Sequence, residues 1–239
     1  TPGGFGHRNI PNLARGTQMA VREVFGHRVA HFFRDVITEP DKSVQPQIFH
    51  AEDLDNEHAS CSVHIIACTG DWFGGWDGLT PGDPDLCITE DGKQGRLVEV
   101  IEKGEPAIFI CHWPGIYYNG EKLGFDIFKT VVNRLHATYD HLHWMKLTEI
   151  AHYWAVRQFA RPTLTAEGIV IESPFATKDF TFSVERKFSN PALYRNAAMT
   201  PLTRVASSRA LAPHSWCVEG KKTFFCLDLE AGMTVVRNG

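Results

Sequence analysis

The chain has 239 residues, with 24 Lys and Arg against 28 Asp and Glu for a formal net charge of −4, and it is 43% hydrophobic, 11% aromatic and 22% charged. That composition excludes a disordered chain, and no apolar run approaches the roughly 18–20 residues of a membrane helix. The mildly acidic balance argues against a nucleic-acid partner recognised through a basic surface. At this length one large domain, or one domain plus a small one, is expected.

The chain opens on Thr1-Pro2-Gly3-Gly4-Phe5-Gly6, which reads as a glycine-rich loop. Asn9 to Phe25 then reads as a helix, with Leu13, Met19, Ala20, Val21 and Val24 on an apolar face and Gly26 as its stop. His27 to Ile37 is apolar and β-rich, a strand with its flanks, and Thr38 to Asn56 reads as a loop of prolines and acidic residues. Cys61 to Cys68 suits a strand buried on both faces, and it stops in the glycine-rich loop Thr69 to Gly78. Arg96 to Lys103 is a short helix closed by Gly104, and Ala107 to His112 is a strand running into Trp113-Pro114-Gly115. Leu123 to Ala137 is an amphipathic helix presenting Phe125, Phe128, Val131, Val132 and Leu135 on one side. His141 to Met145 fits a short strand, and Thr148 to Phe159 a helix ended by Pro162.

Strands thus alternate with helices up to about Arg161, the signature of βα units around a parallel sheet. Beyond it come the short β-type runs 168–172, 180–184, 222–227 and 233–236, punctuated by Gly, Pro and Asn. The expected class is therefore α/β, with a partial (β/α) barrel-like domain over 1–161 and a small antiparallel, sandwich-like β module over 162–239. The six cysteines show no C-x-x-C spacing; Cys217 and Cys226 flank a turn at Glu219-Gly220-Lys221-Lys222, which leaves a disulfide between them open.

In βα architectures the active groups sit in loops after the carboxyl ends of strands. Three polar-aromatic clusters have that placement: Thr1 to Arg8, Asp71 to Asp77, and His112 to Gly115. His112 is the strongest candidate, since an imidazole at a strand's carboxyl end can give or take a proton at a site mouth. Asp71 and Asp77 are placed to orient that histidine, to bind a metal or to cap a turn. Trp72, Trp76 and Trp113 have the flat apolar faces that stack on sugar rings, and equally the bulk to pack loops together. His27 and His31 form an H-x-x-x-H, but on a strand the two rings lie roughly 13 Å apart and share no metal. His141 and His143 read as partly buried structural residues. No P-loop, dinucleotide fingerprint or G-x-S-x-G elbow is present.

The order of these clusters, followed by Leu147-Thr148-Glu149-Ile150-Ala151-His152-Tyr153, resembles the second half of the polysaccharide deacetylase (NodB-homology) domain over about residues 1–160. The resemblance implies a distorted (β/α) barrel that removes acetyl groups from a glycan with a divalent metal, often zinc. Pro2 and Gly3 would then lie in the proline-glycine loop that binds substrate. Asp71 and Trp72 would match the Asp-Trp motif of the acetyl pocket, and His112 the late histidine acting as general acid. The early Asp-Asp and His-x-x-x-His motifs that hold the metal have no counterpart here, so no metal ligand is identified. About 160 residues also supply only three or four βα units where a closed barrel takes about 250. On this resemblance the chain is the C-terminal half of such a hydrolase, inactive or nearly so when isolated, with a carbohydrate substrate and an extracytoplasmic or secreted setting. Two alternatives stand beside it: a non-catalytic glycan-binding protein using Trp72, Trp76 and Trp113, and a barrel-type glycoside hydrolase with Asp71 or Asp77 as one carboxylate. Oligomeric state is not legible in the sequence.

Overall fold

The computed structural model describes residues 11–71, 81–195 and 198–238. The chain runs through α1 (Pro11–Phe25), β1 (Val29–Val36), β2 (Gln47–Glu52), β3 (Ser60–Ala67), β4 (Thr69–Asp71), α2 (Arg96–Glu102), β5 (Phe109–Ile110), α3 (Pro114–Tyr117), α4 (Leu123–Thr138) and α5 (Leu147–Phe159). Strands then follow one another: β6 (Arg161–Leu164), β7 (Gly168–Ser173), β8 (Thr177–Val184), β9 (Pro191–Arg195), β10 (Ala198–Pro201), β11 (Thr203–Arg204), β12 (Ser215–Glu219), β13 (Lys222–Leu229) and β14 (Gly232–Asn238).

The expected partial (β/α) barrel is not what the chain forms. The described strands make four separate sheets, ordered β1-β3-β2, β4-β5, β10-β9-β14-β7-β6 and β11-β12-β13-β8. β4–β5 and the short β11–β12 pair in parallel, and β1 runs in the same direction as β3, the Cys61 N–H donating to the Arg28 carbonyl and the Ile37 N–H to the Ala67 carbonyl, while β6–β7, β7–β14, β14–β9, β9–β10, β12–β13 and β13–β8 are antiparallel. Two local departures explain the difference. The loop expected over 38–56 contains β2, whose residues are polar or half-buried and so show no apolar run. The strand expected over 141–145 does not form: of those residues only Leu142 packs on the core and the other four are exposed, so a strand there would bury a single side chain. α4 and α5 are consequently not separated by a strand, and the βα alternation breaks.

The residues divide into two compact units, one built mainly from 32–47 and 64–144, the other from 12–31, 48–63 and the chain from 145 onward. In the first, Ile66, Cys68, Ile88, Leu97, Val100, Val131 and Leu135 form a buried cluster. α4 turns Ile127, Val131 and Leu135 into it, one residue from each helical turn. Phe125 and Phe128, expected on that face, are instead exposed and stack on each other at 6.3 Å between ring centroids. In the second unit the four-stranded sheet carries an aromatic row: Trp216 on β12, Phe225 on β13 and Phe182 on β8 lie opposite one another in register. Among the described residues no helix is long and apolar enough to cross a membrane.

All six cysteines are thiols. Cys217 lies opposite Phe224 and Cys226 opposite Ser215, so the two do not face each other across the β12–β13 hairpin. Burial pushes the Cys61 and Cys68 thiols up to about 12 and Cys87 up to about 11, and raises Cys217 and Cys226 as well. Cys111 alone is exposed. Since the thiolate is the reactive form, native protein at neutral pH should take up one equivalent of iodoacetamide rapidly, at Cys111, and six after unfolding. Peptide mass mapping checks this, and rapid modification at a second site would contradict the burial described.

Candidate functional site

The parallel pair β4–β5 brings two strand ends together, with α2 lying between them in sequence. Thr69 lies opposite Phe109 and Asp71 opposite Ile110, so two steps along β4 match one along β5. That irregularity at Gly70 is a bulge, and such bulges re-aim the side chain that follows. Asp71 is the residue re-aimed. Its carboxylate meets His112 twice: the His112 backbone N–H donates to Oδ1 at 3.3 Å, and the ring Nδ1 lies 2.8 Å from Oδ2.

This clamp has chemical content. The Asp71 side chain is 13% exposed and the His112 side chain 55%, so a largely enclosed carboxylate holds a ring that faces outward. A carboxylate only accepts, so Nδ1 is the protonated nitrogen, and in the neutral ring the basic lone pair lies on Nε2. The backbone contact fixes where the strand end sits, and the ring contact fixes the tautomer. This is the orientation that general acid–base catalysis requires of a histidine.

The loop behind His112 is tied down locally. Pro114 starts α3, the first-turn placement that suits its fixed φ, and the Gly115 N–H donates to the His112 carbonyl at 3.1 Å. α3 then sits against the start of α4 at Gly124, where a Cβ would come within 2.1 Å of the Gly115 carbonyl oxygen. Only glycine permits that approach. Upstream of Asp71, the Arg96 guanidinium donates to the Cys68 carbonyl at 3.1 Å and the Ile37 carbonyl at 3.2 Å, and pairs with Glu99 at 3.0 Å. Sequence reasoning missed both supports. The signal for Arg96 was present: a cation in the first turn of a helix opposes the helix dipole, so it needs another reason to be there.

Of the other expected site residues, Trp113 is described and is 74% exposed at the start of α3. Pro2, Gly3, Trp72, Trp76 and Asp77 lie outside the described residues. His31 lies on β1 and His27 precedes it; burial lowers the His31 pKa from the ordinary histidine value. Among the described residues no three His, Cys, Asp or Glu side chains are grouped as metal ligands would be. Asp71 and His112 supply two donors that already satisfy each other, where a catalytic zinc takes three protein ligands. The described residues therefore do not make up the zinc site that the deacetylase resemblance implies. In comparisons with protein-family models, curated proteins and solved structures, nothing matches the chain.

Proposed function

We propose that the first unit carries a hydrolytic site in which His112, oriented by Asp71, moves the proton during removal of an acyl group from a glycan. The observation that carries this reading is the double contact of the Asp71 carboxylate with the His112 backbone N–H and ring Nδ1. In the reaction, a water oxygen bonds to the acyl carbonyl carbon as Nε2 of His112 takes its proton. The bond from that carbon to the sugar nitrogen or oxygen then breaks as Nε2 returns the proton to the leaving group. The Asp71 carboxylate stabilises the imidazolium that exists between these two steps, as the acid of a His–Asp pair does. An acyl-glycan substrate is supported by the exposed indole of Trp113, adjacent to His112 in sequence and able to stack on a sugar ring, and by the order of motifs in the sequence.

The test is acetate release from N-acetylated chitooligosaccharides and O-acetylated xylan, followed with and without added zinc. The protein is assayed both as the 239-residue chain and with any upstream coding residues restored. Turnover that disappears in His112→Ala supports the proposal. Absence of acetate release from both forms overturns it, and glycan binding without turnover, undiminished in His112→Ala, assigns the surface to carbohydrate binding alone.

A further inference from the structure

The second unit contains a cleft of about 560 Å³ that the site above does not use. Its floor is a row across the five-stranded sheet: Arg161 on β6 lies opposite Glu172 on β7, which lies opposite Met233 on β14. One wall is the turn Leu54–Glu57. That turn is held by hydrogen bonds of its own, from Asn56 N–H to the Asp53 carbonyl at 3.1 Å, from Ala59 N–H to the Asn56 carbonyl at 3.1 Å, and from His58 N–H to Asn56 Oδ1 at 2.7 Å. Arg28 and Phe159 contribute to the remainder. The volume falls within the roughly 300–1,000 Å³ of small-molecule sites.

The charges lining it are arranged unusually. Arg28 and Arg161 both reach the cleft, yet neither guanidinium makes an ion pair with a described residue. Arg161 fails to do so although Glu172 is its cross-strand neighbour. Arg22, close by, is already committed to His58, donating to its carbonyl at 3.0 Å and lying 3.2 Å from its ring Nδ1. Asp55, Glu57 and Glu172 are the acidic residues of the lining, which Asn56 and Ser173 complete on the polar side.

We propose that this cleft binds a small polyhydroxylated carboxylate, a sugar acid, with its carboxylate on Arg28 and Arg161. The planar guanidinium fork matches a carboxylate with two parallel hydrogen bonds, and an unpaired fork is ready to do so. Asp55, Glu57 and Glu172 only accept hydrogen bonds, and hydroxyl groups are the uncharged donors that satisfy them. The same three carboxylates repel a ligand carrying several negative charges, which sets a nucleotide polyphosphate or a polysulfated chain at a disadvantage. A simple cation meets the two guanidiniums. A single carboxylate among hydroxyls fits both halves of the lining, and Phe159 and Met233 supply apolar surface for the C–H face of a sugar ring.

The experiment is titration of the full chain, by calorimetry and by amide chemical shifts, with D-glucuronate, D-glucose, glycine and inorganic phosphate as separate probes. Glucuronate should bind at least tenfold more tightly than each of the other three. Arg28→Met and Arg161→Met should each weaken it about tenfold or more, while Arg209→Met, an exposed arginine elsewhere in this unit, should leave it unchanged. Arg161→Lys keeps the charge without the fork and should fall between, which guards against a variant that merely unfolds. Equal affinity for glucose, tighter binding of glycine or phosphate, unaltered binding in both methionine variants, or no glucuronate binding at all would each overturn the assignment. His112→Ala should bind glucuronate as the parent does, so failure of the hydrolytic reading and failure of this one are separable.

Discussion

Turnover by His112→Ala is expected to fall by about 10²–10⁴-fold, the usual contribution of a positioned acid–base group. Asp71→Asn should approach that loss although it changes little in volume. The native carboxylate accepts from two donors, the His112 backbone N–H at 3.3 Å and the ring nitrogen at 2.8 Å. Asparagine has one acceptor oxygen and one donor group. If its oxygen takes the ring, its NH₂ meets the backbone N–H and the strand end is pushed away. If the amide flips, its NH₂ donates to Nδ1 and the ring adopts the tautomer with its proton on Nε2, which cannot accept one from water. The first route misplaces the base and the second removes it, while substrate contacts elsewhere stay intact, so kcat should fall with KM little changed. Residues acting as a unit are not additive, so the double variant should be no slower than His112→Ala. Imidazole added to His112→Ala should restore part of the rate, which it would not do if the substitution had only loosened the loop. Full activity in Asp71→Asn would remove the pair from the mechanism.

The second large effect concerns stability. Phe225→Ala should destabilise the second unit by about 3–5 kcal/mol, the range for truncating a fully buried aromatic residue. Phe225 is completely buried on β13. Its ring stacks on Phe182 at 5.3 Å and 22° and meets Phe188 edge-on at 5.3 Å and 87°. Trp216 lies opposite it on the neighbouring strand. Alanine therefore opens a cavity and also ends two ring–ring contacts, each worth about 0.5–1.5 kcal/mol beyond burial. Phe225→Leu, which fills part of the space, should cost less than half as much. Urea unfolding followed by far-ultraviolet circular dichroism measures both, and a loss below about 1 kcal/mol for the alanine variant would show that the row adds little to the sheet.

How far these features were readable differs from residue to residue. Helix α4 follows from its apolar spacing, and α2 and α5 from that together with the stops at Gly104 and Pro162, because helix formation is dominated by contacts within a few residues. β3 was readable for a related reason: all eight of its residues are buried, and the β-branched Val63, Ile65 and Ile66 with Cys61 and Ala67 outweigh Ser60, Ser62 and His64 in a short run that suits a strand covered on both faces. β2 and the strand that does not form at 141–145 were misread for one shared reason. A half-polar segment becomes a strand or a loop according to whether a neighbouring strand exists to take its backbone hydrogen bonds, and that neighbour is remote in sequence. Phe125 and Phe128 show the same limit on a helix, since Ile127, Val131 and Leu135 define an equally good apolar stripe and only the core chooses between them.

The sequence by itself determined that Asp71 and His112 each stand at the carboxyl end of a strand, a local matter of where an apolar run meets glycine or proline. Their meeting across 41 residues was decided by the tertiary structure alone. It depends on the parallel pairing of β4 with β5, on a one-residue bulge at Gly70 and on the close approach of α3 to α4 at Gly124. The unpaired guanidiniums of Arg28 and Arg161, which are 133 positions apart in the chain, belong wholly to that second category. Loop closure over such distances is uphill in entropy and leaves no local imprint; only the contacts made at the end, when the strands have paired, select the arrangement.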